Sequence, residues 1–267
     1  MQLRSSRRLR AALGAAVVLA LALTGCSGDD TVTYTPPAQA EGKLPDDMVT
    51  QLQAAVDQAL EVTGTPGAVV GVWVPWSGTW VSATGTQGAS GEAKVTTDMS
   101  FRAATVTRQM TCDVLYGMAD DKLIPLDGAV PEYVPGVADM EDATLLDLCN
   151  GTAGIGSSKA TVQPYLMNTP GREWAPLQLA SFGLGEKRRE VGVYRESDAG
   201  YLMLGMALER ASGKSASELI AEYVTVPLGL EATELPGDAP ATPTPEPAMA
   251  GNYLPKIEGG YDCTAPI

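Results

Sequence analysis

The order of the predicted strands and helices is the feature that most constrains the fold of this chain. Residues 67–74 form an apolar run that predicts a buried strand, and residues 79–85 predict a second strand. The Pro75-Trp-Ser-Gly78 segment between them has the composition of a turn, so the two strands form an antiparallel hairpin. The other apolar patterns have helical spacing. We therefore expect an α+β fold, with an antiparallel sheet and a helical lobe.

The predicted helices lie on both sides of this hairpin in the sequence. Val106, Met110, Val114 and Met118, for example, share one face of a helix. No strand pattern closes the sheet before residue 267, although two strands alone rarely form a stable sheet. Either further strands lie in irregular segments, or the chain is the N-terminal portion of a larger fold whose C-terminal strands are missing. The helices are predicted over residues 46–60, 105–122, 143–150, 197–212 and 215–223.

Residues 1–25 have the pattern of a bacterial lipoprotein signal peptide. Four arginines precede an apolar run of 13 residues, Ala11 to Leu23, which is shorter than the roughly 20 residues of a spanning helix. The run ends in Leu-Thr-Gly-Cys, which resembles the lipobox, so we expect cleavage before Cys26 and lipidation of that cysteine. The alternative is an ordinary secretory signal with an incidental cysteine. The lipid anchor predicts a location at the extracytoplasmic face of the cell membrane.

The segment after the anchor predicts a stalk followed by one domain. Residues 26–47 contain three prolines and no apolar periodicity, which is typical of a flexible linker. Residues 48–267 are then a single domain, which is partial if the C-terminal strands are missing.

The net charge excludes one class of partner. The chain has 18 Lys and Arg against 32 Asp and Glu, a formal charge of −14. Removal of residues 1–25, which carry four arginines and no acidic residue, makes the charge −18. Phosphate binding uses clustered Lys and Arg, so nucleic acid is excluded as a partner.

The absence of histidine excludes several kinds of active site. The chain has 0 His, so it has no Ser-His-Asp triad, no Cys-His pair and no zinc site with imidazole ligands. A nucleophile must instead be activated by Lys, Tyr, a carboxylate or the backbone. No sequence motif for a metal ion or another cofactor is present, and we expect neither.

Three cysteines remain after Cys26, namely Cys112, Cys149 and Cys263. In an oxidising compartment an odd number leaves at least one of them without an intramolecular partner. A disulfide between Cys112 and Cys149 is one possibility. The other is that both are small core residues.

Several segments follow one another in the order of a known family. They are Pro66-Gly-Ala-Val-Val-Gly-Val72, Phe101-Arg-Ala-Ala-Thr-Val-Thr-Arg-Gln-Met110, Asp121-Lys-Leu-Ile-Pro-Leu-Asp127, Leu145 to Ile155, and Gly200-Tyr-Leu-Met-Leu-Gly205. Together they resemble the serine beta-lactamase-related family of class C beta-lactamases, D-Ala-D-Ala carboxypeptidases and esterases. The resemblance implies a fold like that of beta-lactamases and penicillin-binding proteins. It also implies acyl transfer to a hydroxyl, then hydrolysis, on a beta-lactam, a D-alanyl peptide or a small ester.

The catalytic positions implied by this resemblance hold unusual residues. The family's Ser-x-x-Lys motif pairs a nucleophilic serine with a lysine that helps to remove its proton. Thr105 and Arg108 occupy those two places. β-Branching crowds the threonine hydroxyl, and a guanidinium stays protonated and cannot serve as a base. Ser157-Ser158-Lys159 lacks the required spacing and is predicted to be a turn.

The second family motif, Tyr-x-Asn, aligns with Glu196-Ser197-Asp198, so Glu replaces Tyr and Asp replaces Asn. A shift of one or two residues brings Tyr194 near instead. Glu196 is either a base that positions the Thr105 hydroxyl or the partner of Arg108 in an ion pair. Arg108 either binds a terminal carboxylate or balances nearby acids. The third motif, a basic residue or His followed by x-Gly, is absent.

Three functional hypotheses remain open. The chain is a lipid-anchored hydrolase-like protein with weak or no activity, a non-catalytic protein that binds cell-wall peptide, or a fragment of a longer hydrolase. The expected partners are the membrane, through the lipid, and a cell-wall peptide or small acyl substrate in a concave cleft. The candidate site residues are Thr105, Arg108, Glu196 and Asp198.

Overall fold

A computed structural model of the chain describes residues 38, 40–87, 93–169, 172–237, 247–249, 256–257 and 260–261. The predicted signal peptide with Cys26, and also Cys263, lie outside the described residues. The elements in chain order are helix α1 (Asp46–Thr63), strands β1 (Gly67–Val74) and β2 (Gly78–Gly85), helices α2 (Val106–Asp120), α3 (Val130–Tyr133), α4 (Leu145–Asn150), α5 (Lys159–Asn168), α6 (Pro176–Leu184), α7 (Asp198–Ser212) and α8 (Ala216–Ile220), a π-helical turn (Ala221–Thr225), and strands β3 (Lys256–Ile257) and β4 (Gly260–Tyr261).

The predicted hairpin is present as the two-stranded sheet β1–β2. The N–H of Ser77 closes its turn by donating to the carbonyl of Val74 at 2.9 Å. Within the described residues no third strand pairs with β1 or β2, and β3 pairs with β4 in a separate antiparallel sheet. Burial of the first strand was expected, but most side chains of β1 are half-buried and Trp73 is exposed. In a sheet of only two strands, each strand has a single neighbouring strand, so its side chains stay partly exposed.

The core is formed mainly by helices from α2 onward. On α2 and α7 the buried residues recur at helical spacing, so each helix packs one apolar face inward. Residues with side chains that are essentially fully buried include Leu115, Met118, Leu145, Leu148, Met203 and Leu204. This helical lobe together with the hairpin confirms the expected α+β class.

The helix boundaries near the candidate site follow from local hydrogen bonds. At the start of α4, the Thr144 side chain accepts from the N–H of Asp147, and the Asp147 carboxylate accepts from the N–H of Thr144 at 3.0 Å. Gly151 ends α4 in the left-handed conformation with φ 69°. The Ser197 hydroxyl accepts from the N–H of Gly200 at 3.1 Å and begins α7.

The chain divides into two compact units, residues 1–54 with 71–81 and residues 55–70 with 82–267. In the first unit Leu44 is buried, and its N–H donates to the carbonyl of Thr79 at 3.1 Å. This contact falls within the last residues of the predicted stalk. The second unit contains helices α2 to α8 and all four candidate site residues. In the described part of the chain, no helix has the length and apolar character that crossing a membrane requires.

Candidate active site

A disulfide and a tyrosine link three helices around the candidate site. Cys112 of α2 is joined to Cys149 of α4, with their Cα atoms 5.5 Å apart. The Tyr201 hydroxyl of α7 donates to the carbonyl of Cys149 at 2.7 Å. Arg108 lies one turn before Cys112 on the same face of α2. The position of Arg108 is therefore set by a scaffold that is both covalent and hydrogen-bonded.

Thr105 lies at the exposed N-terminal end of α2. It is the N-cap residue, with φ −67° and ψ −13°, and its side chain makes no capping hydrogen bond. Thr105 and Arg108 are three residues apart, so both side chains lie on one face of the helix. Ala104, just before Thr105, has φ 47°, in the left-handed region that alanine rarely adopts. The chain thus turns sharply into α2 at the position of the family nucleophile.

The Arg108 guanidinium contacts two carboxylates. Its Nη2 donates to Glu196 Oε1 at 3.2 Å, and it also donates to Asp198 Oδ1. The guanidinium carbon lies 5.1 Å from the centroid of the Tyr201 ring, a cation–π contact. The ion pair between Glu196 and Arg108 is thus the observed arrangement. Two carboxylates thus contact Arg108, and its role toward a ligand stays a prediction.

The electrostatics of the site keep its cation charged. Burial alone would lower the pKa of Arg108, but hydrogen bonds and attraction from Asp198 and then Glu196 outweigh it and raise that pKa above its usual value. For Tyr201, burial disfavours the charged phenolate and raises the pKa. The Arg108 charge opposes this effect, and Tyr194 raises the pKa of Tyr201 further. Arg108 therefore cannot remove a proton from Thr105, and Tyr201 remains a hydrogen-bond donor.

The segment before Glu196 is held by backbone hydrogen bonds to the loop after α4. Three backbone N–H groups of this segment donate to carbonyl oxygens of that loop. The distances are 2.9 Å for Arg189 to Gly154, 2.9 Å for Gly192 to Thr152, and 2.8 Å for Arg195 to Gly151. Gly154 has φ 76°, and a Cβ there would lie 2.2 Å from the carbonyl oxygen of Arg189, so this approach requires glycine. Glu196 therefore enters the site on a fixed backbone.

Two residues of the site were missed by the sequence reasoning. The Ser157 hydroxyl donates to Asp198 Oδ2 at 3.3 Å, although the Ser157-Ser158-Lys159 segment was predicted to be only a turn. Tyr201 was recognised only as part of a helix, although it contacts both Arg108 and Cys149. No spacing rule links these residues to Arg108, because the contacts join separate loops and helices.

Tyr194 is the residue that a shifted alignment brings near the second family motif. It is exposed, and a Cβ added at Gly151 would lie 3.0 Å from its ring. Glu196, and not Tyr194, makes the hydrogen bond to Arg108. The unshifted alignment of Glu196-Ser197-Asp198 thus describes the contacts of the arginine. Among the described residues, no group of three or more His, Cys, Asp and Glu is arranged to hold a metal ion.

A comparison with protein family models shows the family to which the chain belongs. A family model described as Beta-lactamase matches residues 52–260 of the chain, which is well over half of its length. The chain belongs to the beta-lactamase family. The sequence resemblance is therefore confirmed. Thr105 and Arg108 stand at the two places that the sequence resemblance assigns to the family's first catalytic motif.

Two curated relatives match parts of this beta-lactamase family member. Penicillin-binding protein 4 of Amycolatopsis lactamdurans is 27% identical over 186 residues, covering 62% of this chain and 47% of the relative. A probable fimbrial assembly protein FimD, serogroup H1, of Dichelobacter nodosus is 27% identical over 143 residues, covering 51% of this chain and 35% of the relative. The chain thus spans less than half the length of each relative.

Solved structures show the same fold. A D-stereospecific amidohydrolase from Streptomyces sp. is 24% identical with a TM-score of 0.66, covering 80% of this chain and 65% of that one. The D-amino acid amidase of Ochrobactrum anthropi SV3, complexed with L-phenylalanine amide, is 19% identical with a TM-score of 0.68. The match covers 82% of this chain and 62% of the amidase. A class C beta lactamase is 17% identical with a TM-score of 0.56, covering 72% and 52%. The expected beta-lactamase-like fold is confirmed.

Proposed function

We propose that this chain is a lipid-anchored, extracytoplasmic member of the beta-lactamase family that holds an acyl or amide ligand beside Thr105 and turns it over slowly or not at all. The observation that carries this proposal is the engagement of Arg108 by Glu196 and Asp198. At the place of the family lysine there is a permanent cation, and its charge is already matched by two acids.

The chemistry of the replaced residues supports slow turnover. Loss of a positioned general base costs about 10²- to 10⁴-fold in rate. Glu196 is a remaining candidate base near the site, but its Oε1 already accepts a hydrogen bond from Arg108. Thr105 is an exposed but hindered nucleophile. Binding needs none of these proton transfers and survives their loss.

The ligand class is inferred from relatives as well as from the site. One curated relative is named a penicillin-binding protein, and one structural neighbour is complexed with L-phenylalanine amide. Both ligands carry an amide bond to an amino-acid-derived group. We carry this class over to the present chain, as a cell-wall peptide or a small acyl or amide compound.

Covalent labelling tests the catalytic part of the proposal. The wild-type chain, Thr105→Ala and the quadruple variant Thr105→Ser, Arg108→Lys, Glu196→Tyr, Asp198→Asn are incubated with a fluorophosphonate and a fluorescent penicillin, and adducts are mapped by mass spectrometry. We expect little or no labelling of the wild type, and labelling at least about 10²-fold faster at Ser in the quadruple variant. A rapid, stoichiometric adduct on Thr105 of the wild type, lost in Thr105→Ala, contradicts the proposal and supports an active hydrolase.

Fractionation of bacterial cells tests the anchor. The full-length precursor is expected in the membrane fraction, and the Cys26→Ser variant is expected to leave it, because the lipid is attached through that sulfur. Ser27→Ala serves as the control, since it changes the residue next to the lipidated position but keeps the Cys26 sulfur. If Cys26→Ser stays with the membrane, the lipid anchor is refuted.

A further inference from the structure

The charged groups at the candidate site sum to a negative charge. Glu196 and Asp198 each contribute one negative charge at neutral pH, and Arg108 contributes one positive charge. Both carboxylates contact the same guanidinium. In the described part of the chain neither carboxylate forms a further ion pair, so this cluster of three charged groups carries one net negative charge.

The exposed part of this group is the negative part. The Glu196 side chain is 53% exposed, whereas the Arg108 side chain is 19% exposed. Arg108 is covered on one side by the Tyr201 ring and contacted by the two carboxylates. A ligand that approaches the site therefore meets the Glu196 carboxylate before it meets the guanidinium.

Glu196 also retains capacity to bind a donor. Asp198 uses both of its oxygens, one for Arg108 and one for the Ser157 hydroxyl. Asp198 is moreover in the first turn of α7, where the helix dipole favours a negative charge. Glu196 uses Oε1 for Arg108, and among the described residues its Oε2 has no hydrogen-bond partner. Glu196 Oε2 is thus a carboxylate oxygen of the site that can accept a hydrogen bond from a ligand.

We propose that Glu196 makes this site selective for ligands that carry an ammonium group, such as the free α-amine of an amino-acid amide, and unfavourable for ligands that carry a carboxylate. The inference rests on the proposed function, because it names the ligand class of the same site. A carboxylate near Glu196 and Asp198 meets like charges, which disfavour binding. An ammonium donates to Glu196 Oε2 and completes the neutralisation of the cluster.

Three compounds with the same aromatic side chain test this selectivity. At pH 6, below the pKa of about 7.7 of an α-amine, D-phenylalanine amide carries a positive charge, N-acetyl-D-phenylalanine amide is neutral, and N-acetyl-D-phenylalanine is negatively charged. Their dissociation constants are measured by calorimetry or NMR titration with the wild-type chain at low salt. We expect the amine to bind about fivefold more tightly than the neutral compound, as for a partly exposed ion pair. The acid is expected to bind most weakly. The differences between the three dissociation constants are expected to shrink in 0.5 M salt, because the Debye length there is only about a few ångströms.

Two variants that each remove one negative charge separate the local effect from the charge of the whole protein. Glu196→Gln makes the cluster neutral, and we expect the preference for the amine to fall to less than about twofold. Glu222→Gln is the matched control, because Glu222 also forms an exposed ion pair, with Lys214. Its neighbour Tyr223 bonds to Asp121, at the opposite end of α2 from Thr105. Glu222→Gln is expected to keep the wild-type preference.

The outcomes separate this inference from the proposed function. Equal binding of all three compounds, tighter binding of the acid, or an unchanged preference in Glu196→Gln overturns the inference and leaves ligand binding in place. If none of the three compounds binds, both the inference and the proposed ligand binding are refuted. The unfolding transitions of the variants, followed by circular dichroism, show that each one is folded.

Discussion

At the scale of single residues, the proposed slow turnover depends most on Arg108. A lysine can lose its proton in a suitable environment, whereas a guanidinium in a protein does not. Glu196 and Asp198, which the resemblance places at the family's Tyr and Asn, both contact this guanidinium. The three substitutions are therefore mutually consistent: a cation that cannot be neutralised by proton loss is neutralised by carboxylates.

Asp147 is a second residue whose contacts have a measurable consequence. Its carboxylate accepts from the Thr144 hydroxyl at 2.6 Å and from the Thr152 hydroxyl at 2.7 Å, and from the Thr144 N–H at 3.0 Å. Burial alone would raise the pKa of Asp147, but these hydrogen bonds and the charge of Arg188 outweigh it and lower that pKa. Since a lowered pKa in the folded state favours the charged form there, Asp147 stabilises the fold above the unfolded-state pKa of about 4.

We predict that this stabilisation is lost as the pH falls below about 4 and through the lower pKa of the folded state. The free energy of unfolding in urea is measured at pH 6, 4 and 3 for the wild type and for Asp147→Asn. The wild type is expected to lose more stability than the variant over this range, because Asn does not titrate. Asp120→Asn, which changes an exposed carboxylate at the end of α2, is the control and should follow the wild type. Parallel pH curves for the wild type and Asp147→Asn count against this role.

At the scale of elements, the packing of α6 on the site depends on the small size of Gly183. A Cβ at Gly183 would lie 2.4 Å from the carbonyl oxygen of Gly156 and 2.6 Å from the Cβ of Ala199. Gly156 immediately precedes Ser157, and its carbonyl accepts from the Ser197 hydroxyl at 2.7 Å. Contact of α6 with this backbone therefore helps to hold the loop that brings Ser157 to Asp198. By contrast, a Cβ at Gly205 of α7 would meet nothing within 4 Å.

These two helical glycines give a matched prediction with opposite signs. Gly205→Ala is expected to raise the free energy of unfolding by about 0.5–1 kcal/mol, because alanine restricts the unfolded chain and favours the helix. In Gly183→Ala, alanine favours the helix in the same way, but its Cβ would push α6 away from the Gly156 backbone. We therefore expect this variant to lower the free energy of unfolding by about 1–3 kcal/mol. Urea denaturation of both variants measures the difference. A stabilising Gly183→Ala is incompatible with the close packing described above.

The helices α5 and α6 show why element prediction was incomplete. α5 contains Pro164 within its span, and a proline inside a helix usually signals its end. α6 is short and largely apolar, so it lacks the alternation of apolar and polar faces that marks an amphipathic helix. Both helices form because tertiary packing outweighs these weak local signals.

At the scale of the whole molecule, one covalent bond connects distant parts of the helical unit. The disulfide joins Cys112 and Cys149 across 37 residues, and its two ends lie in α2 and α4. A loop of this length restricts the unfolded chain by about 4 kcal/mol in the chain-entropy description. Because Cys149 also accepts the Tyr201 hydrogen bond, the disulfide contributes to the site as well as to global stability.

We predict that the variant Cys112→Ala, Cys149→Ala has a free energy of unfolding about 3–4 kcal/mol below that of the oxidised wild type. Denaturation of the wild type in the presence of dithiothreitol should give a similar loss, while the variant should not respond to the reductant. Equal stability of the wild type with and without reductant shows that the disulfide does not form in solution or contributes nothing to the fold.

The sequence by itself determined the α+β class, the hairpin, the long helices α2 and α7 and the resemblance to the family to which the chain belongs. These features are encoded in local periodicity, turn residues and spacing within one helix. The tertiary structure alone decided that Glu196 and not Tyr194 reaches Arg108, and that Ser157 and Tyr201 complete the site. These residues lie on separate loops and helices, and only packing of the whole helical unit brings them together. The net charge of the site follows from that packing, because it depends on which charged side chains are in contact there and not only on which ones the sequence contains.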